Sequence, residues 1–225
     1  MSTPYCLAWE CVGRSGSVCA LAENGTLLAY EDLAGVAAAS HLVPCIDALL
    51  RRFGRPQSLA VAIGPGSFTG LRISTVAART LAWCDQLPLI PVPTLAALAC
   101  DQGPGLWYTV LPLKKDVTFH AAYSVDATGA WQEVLPVQAI NDDASADFPP
   151  VDATYTAVGP ALASKPQLLQ CCPAPSGSPQ APTAHGVARA ARSCQPQDPA
   201  HLLPAYHRAS APELQRDQGQ HKPRP

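Results

Sequence analysis

Gly64-Pro65-Gly66-Ser67-Phe68-Thr69-Gly70-Leu71-Arg72 joins a short apolar run, Leu59 to Ile63, to a long apolar segment reaching Cys84. The first has the length of a strand and the second that of a helix. Glycine lets the backbone take positive φ and approach its neighbours closely. The stretch therefore reads as a tight turn from a buried strand into a helix from about Gly70 to Cys84, with Thr69 as its cap. A helix N-terminus can hold an anion. The stretch nevertheless lacks the Gly-Lys-Ser/Thr ending of a Walker loop and the spacing of a dinucleotide loop. From the residues alone, a plain connection and an anion-binding loop both stay open.

Upstream, Tyr5–Glu10, Ser17–Ala22 and Thr26–Tyr30 read as strands. Asn24-Gly25 between the last two predicts a type I′ hairpin. Leu42, Cys45, Ile46, Leu49, Leu50 and Phe53 then recur at helical spacing. Ser40 is the expected cap of that helix, Pro44 falls in its first turn, and Arg51 and Arg52 suit its C-terminal dipole. Downstream, Leu89–Val92 reads as a strand and Thr94–Ala99 as a short helix. The order β-β-β-α-β-α-β-α predicts an α/β layer arrangement with a mixed sheet.

Gln102-Gly103-Pro104-Gly105 marks a boundary. The expected organisation is one lobe over 1–103, a second over 104–214, and a disordered tail over 215–225. In the second, Trp107–Leu111, Val117–Tyr123 and Trp131–Val137 read as strands. More than half of the 24 prolines follow residue 148, leaving room for one helix, Ala184–Ser193, and making 171–182 a loop.

The helix after the glycine stretch is apolar almost all round, through Leu71, Ile73, Val76, Ala77, Ala78, Leu81, Ala82, Trp83 and Cys84. Only Arg72, Thr75 and Arg79 share a polar stripe. Such a helix is covered on more than one side, by its own sheet and then by another helix or a second protein.

Charged residues are 14% of the 225, well below the usual quarter, and the formal net charge is −2. That excludes a global basic field for nucleic acid. Nine cysteines, an odd number without a Cys-x-x-Cys pair, read as reduced thiols of a cytoplasmic protein. The first residues show no charged-then-apolar leader pattern. No uninterrupted apolar run has membrane-spanning length, so no membrane span is expected.

The stretch 64–72 resembles the signature of the TsaB (YeaZ) family. Leu7-Ala8-Trp9-Glu10 with Ser17–Leu21, Leu42–Leu50, Pro93-Thr94-Leu95, and Pro204-x-Tyr206-x-Arg208 with Ala211-x-Glu213 are similar to further family segments in the same order. The resemblance is close over 1–100, thin over 105–200, and returns at 202–214. It implies two actin-like (ribonuclease-H-like) lobes of the ASKHA class, the second divergent. It also implies a non-catalytic scaffold of the machinery that makes N6-threonylcarbamoyladenosine (t6A) in tRNA. The implied partners are a TsaD-type paralogue, a TsaE-type ATPase and, through the complex, tRNA. No cofactor, metal or catalytic residue of its own is implied. The implied pairing surface is the first two helices: Leu42, Cys45, Ile46 and Leu49 on one, and Thr69, Gly70, Leu71, Arg72, Ile73, Val76, Ala77 and Thr80 on the other. Gly64, Pro65, Gly66, Ser67 and Phe68 are the motif loop. The family's Asp-Thr-Ser at the end of its first strand is here Glu10-Cys11-Val12, which leaves Glu10 as the remnant of a nucleotide site.

Three rivals stand beside this reading. A metal-dependent or nucleotide-hydrolysing actin-like enzyme needs ligands: His41, His120, His185, His201, His207 and His221 include no pair four apart, and Asp142-Asp143 reads as a solvated loop. An RNA-binding module could use Arg51, Arg52, Arg55, Arg72 and Arg79, but no RNA motif appears. A homodimer through the same helix pair is the third.

Overall fold

The computed structural model describes residues 3–13, 16–33, 38–114, 116–142, 154–165 and 181–206. The first sheet holds β1 (Tyr5–Glu10), β2 (Ser17–Ala22), β3 (Leu27–Asp32), β4 (Ser58–Gly64) and β5 (Leu89–Pro93), in the order β3-β2-β1-β4-β5. The pairs β1–β2 and β2–β3 are antiparallel, whereas β1–β4 and β4–β5 are parallel. This is the ribonuclease-H-like arrangement. A second sheet of β6 (Gly105–Lys114), β7 (Val117–Val125), β8 (Trp131–Asn141) and β9 (Thr156–Val158), ordered β8-β7-β6-β9, makes the molecule a two-lobed, actin-like α/β protein.

The alternation of side chains along the central strands decides what covers each face. Leu7, Trp9, Val18, Leu59 and Val61 pack against α1 (Ala38–Phe53) and α2 (Phe68–Asp85). Ala8, Cys19, Ala60 and Ala62 point the other way, against α3 (Thr94–Gln102) and α4 (Ala184–Ala191). With both faces covered, β1 and β2 are apolar nearly throughout, as parallel and central strands require. The small residues let α3 and α4 come close to the sheet. A Cβ at Gly186 would stand 2.4 Å from the Ala97 carbonyl oxygen, so α4 also presses directly on α3. The same core continues into Leu111, Phe119, Ala121 and Tyr123 of the second sheet, which places α3 and α4 between the two sheets.

Four local expectations need correction. Gly25 has φ +87°, but Asn24 does not have positive φ, so the hairpin is not type I′. Gly25 N–H donates to Ala22 O at 2.9 Å, and Asn24 Oδ1 accepts from Thr26 N–H at 3.0 Å. A turn ending in a left-handed glycine carries the extra residue instead. Helix α1 already includes Ala38 and Ala39, which are good helix formers. Ser40 is therefore inside it, and Pro44 sits in its interior, where it donates no ladder bond. The cap of α2 is Ser67, not Thr69: its Oγ accepts from Gly70 N–H three residues on, the distance a cap needs. Asp142 is buried rather than solvated, because Lys165 and Thr118 close on it. Lys165 forms an ion pair with it, and Thr118 Oγ1 donates to its Oδ1 at 2.7 Å. Asp143 lies outside the described residues.

Candidate functional site

The glycine stretch is a packing node. A Cβ at Gly66 would stand 2.6 Å from Val12 Cβ, and one at Gly70 only 1.7 Å from the Cys11 carbonyl oxygen. Gly64, at φ +130°, brings its α-carbon against the chain at Ala205. Ser67 N–H donates to Val12 O at 2.8 Å, and Ala205 N–H to Ile63 O at 2.8 Å. The rings of Phe68 and Tyr206 lie 4.6 Å apart. Arg72 stacks over Phe68 at 4.0 Å and donates Nε–H to the Tyr206 hydroxyl at 3.1 Å. The two stretches that carry the resemblance, about 130 residues apart in sequence, thus meet in one place. Arg208, Ala211 and Glu213 lie outside the described residues.

Glu10 ends β1 beneath this node, and its side chain turns inward. It is 3% exposed, its Oε2 accepts from Val12 N–H at 3.0 Å, and its Oε1 accepts from Ser17 Oγ at 3.0 Å. Ser17 Oγ in turn accepts from Ala184 N–H at 2.8 Å, the first residue of α4. Burial raises the carboxyl to about 7, against the lowering effect of the bonds from Val12 and Ser17 and with a small raising effect of Asp32. The arrangement couples β1, β2 and α4. Both carboxylate oxygens are already engaged within the chain.

On the outer side of α1 and α2 lies an open groove of about 730 Å³. Helix α2 turns Leu71, Ser74, Thr75, Ala78 and Ala82 to its own sheet. Thr75, expected on the polar stripe, is therefore inside at 2% exposure. Small residues there let the helix approach, and Trp9 Nε1–H reaches Ser74 O at 3.2 Å. What faces outward is then apolar: Val76 is 60% exposed and Trp83 69%. Of the expected pairing residues, Ile46, Arg72, Ile73, Val76, Ala77 and Thr80 line the groove. Leu42, Leu49, Gly70 and Leu71 are in the chain's own interior, and neither Cys45, half-buried near Glu31, nor the exposed Thr69 lines the groove. Val43, Asp47, Leu50, Leu81 and Cys84 complete the lining; none was among the expected pairing residues, although Leu50, Leu81 and Cys84 stood in the apolar patterns of the two helices. Their signal was a second stripe, Val43, Asp47 and Leu50 at i, i+4 and i+7, one position round from the buried Leu42, Ile46 and Leu49.

The arginines do not gather into a patch. Arg51 pairs with Asp47 at 2.8 Å and Arg52 stacks on Phe53. Arg55 donates to Asp85 O at 2.6 Å, and Arg79 to Pro199 O at 2.8 Å and Ala200 O at 3.1 Å. Among the described residues no three His, Cys, Asp or Glu side chains converge as a metal site would need, and no helix is long and apolar enough to cross a membrane.

Comparison with known proteins places this geometry among relatives. A family model described as TsaD, tRNA N6-adenosine threonylcarbamoyltransferase, matches residues 33–106, the span of α1, the glycine stretch and α2. The chain is 36% identical over 84 residues to the tRNA threonylcarbamoyladenosine biosynthesis protein TsaB of Haemophilus influenzae, covering 36% of each chain. It is 30% identical over 124 residues to TsaB of Escherichia coli, covering 50% of this chain and 52% of that one. The matches thus span about half or less of those relatives' length. Among solved structures, a Pseudomonas aeruginosa protein described as similar to peptidase YeaZ superposes with a TM-score of 0.75 at 23% identity, over 92% of this chain and all of the other. YeaZ from the same organism gives 0.73 at 22% identity, over 91% of this chain and all of the other.

Proposed function

From the chain's membership of the TsaB (YeaZ) family, we propose that it is the non-catalytic scaffold subunit of a t6A-forming complex, holding a TsaD-type paralogue through the α1–α2 groove. The observation that carries this reading is the exposed apolar face of α2. Val76 and its neighbours have no covering element among the described residues, and an apolar groove of this kind is more costly to leave wet than to cover. A partner of the same fold would bring an equivalent helix pair, and ridges of two such pairs interdigitate as a four-helix layer. Leu42 and Leu49 of α1 share one apolar cluster with Ala78 and Ala82 of α2, and that packing fixes the two helices relative to each other. In this reading the chemistry belongs to the paralogue, a TsaE-type ATPase joins the pair, and tRNA is met through the complex. The 1–103 segment supplies the docking surface. The geometry at Glu10 favours a structural role over nucleotide binding, since both carboxylate oxygens are already bonded inside the chain.

The test is reconstitution of tRNA modification from purified subunits of one organism. Activity is expected to need both this chain and the TsaD-type protein, to be absent with this chain alone, and to be lost with Val76→Glu. Modification that proceeds without this chain, or undiminished with Val76→Glu in its place, would refute the proposal.

A further inference from the structure

The groove carries two charged residues, Asp47 and Arg72, and they differ in state. Asp47 is already paired with Arg51 on its own helix. Arg72 forms no ion pair with any described residue, yet its guanidinium is held: its face lies over Phe68, and its Nε is tied to the Tyr206 hydroxyl. The two terminal nitrogens, the fork that matches a carboxylate, are left without a described acceptor at the rim of an apolar groove. Resting on the docking reading above, we propose that the partner inserts an acidic side chain, Asp or Glu, that binds Arg72 bidentately, so that Arg72 is the polar anchor that fixes the register of an otherwise apolar contact.

Two physical points carry this. Covering a cation without supplying an anion is strongly unfavourable, so whatever fills the groove must answer Arg72. The guanidinium is also pre-organised by the Phe68–Tyr206 pair, so little side-chain freedom is lost when the anion arrives. An RNA phosphate is the poorer candidate. The neighbouring Arg51, Arg55 and Arg79 are engaged with Asp47 and with backbone carbonyls, and no track of free cations continues from Arg72 among the described residues.

The experiment measures affinity for the purified TsaD-type protein at low and high salt, with wild type, Arg72→Gln, Arg72→Lys and Val76→Glu, each checked for an unchanged unfolding midpoint. Arg72→Gln is expected to weaken binding at least about 30-fold and Arg72→Lys less, because a lysine keeps the charge and loses the fork. The salt dependence of wild-type binding should vanish in Arg72→Gln. Among variants that change one partner acid to Arg, one should restore binding to Arg72→Glu. If Arg72→Gln binds as wild type while Val76→Glu does not, the groove is the docking site and the anchor is wrong. If neither change weakens binding, the docking reading itself fails. Binding of tRNA by the isolated chain that is lost in Arg72→Gln, with partner affinity intact, would make the anion a phosphate and overturn the proposal. Should Arg72→Gln not fold, the charge-swap pair and the salt dependence of the wild type decide.

Discussion

Replacing Glu10 by glutamine should change how the stability of this protein depends on pH. The wild-type carboxyl is buried, and burial lifts it from 4.5 to about 7. A raised carboxyl favours the protonated native state. Its stabilising effect is fully present below about pH 4.5 and is lost as pH rises through 7. At roughly 1.4 kcal/mol per pH unit, the loss amounts to about 3 kcal/mol. The glutamine side chain would be neutral throughout. Its carbonyl can keep the bond from Val12 N–H, and its amide can donate to Ser17 Oγ, as a protonated carboxyl would. The stability curves should therefore meet at low pH and separate as pH rises. Near pH 4 the two proteins should be about equally stable, and near pH 8 the variant should be the more stable by about 3 kcal/mol. Urea unfolding of both proteins across this range measures the difference directly, and every other titrating group cancels in it. Parallel curves from pH 4 to 8 would refute the reasoning and show that water reaches Glu10 in solution.

Two further substitutions probe the same elements. Gly70→Ala puts a methyl group 1.7 Å from the Cys11 carbonyl oxygen, both on backbone that cannot swing aside, and should destabilise by about 3 kcal/mol. A urea midpoint within experimental error of wild type would contradict the close packing of α2 on the end of β1. Thr75→Val keeps the shape but removes a buried hydroxyl that has no hydrogen-bond partner among the described residues. It should stabilise by about 1 kcal/mol, read from the same unfolding curve, and a loss of stability would mean the hydroxyl is satisfied.

The sequence was legible where local chemistry and burial agree. Short apolar runs bounded by turn residues placed the first five strands. Thr183, whose side chain accepts from Gly186 N–H at 3.0 Å, explains why a helix starts at Ala184 inside a proline-rich region. The rotation of α2 was not legible. Ser74 and Thr75 look like surface residues, but small side chains are what the close approach to β1 demands, and the large apolar Val76 and Trp83 are displaced outward. The outer stripe of α1 was hidden because it lies one position from an inner apolar stripe that dominates the pattern. The docking of Tyr206 on Phe68 and Arg72 is a contact between distant segments, and no local pattern encodes it. Both stretches stand out as motifs for one physical reason: they build a single node in which glycines at 64, 66 and 70 leave no room for a side chain.

The docking claim is tested most directly by light scattering on this chain mixed with the TsaD-type protein of its own organism, with bound nucleotide measured across the peaks. The account predicts one peak at the mass of a one-to-one pair, with nucleotide held only where the partner is present, and its loss with Val76→Glu. Two separate peaks, or one of this chain paired with itself, with nucleotide held by this chain alone, would contradict it and return Glu10 and the 64–72 stretch to consideration as a working site.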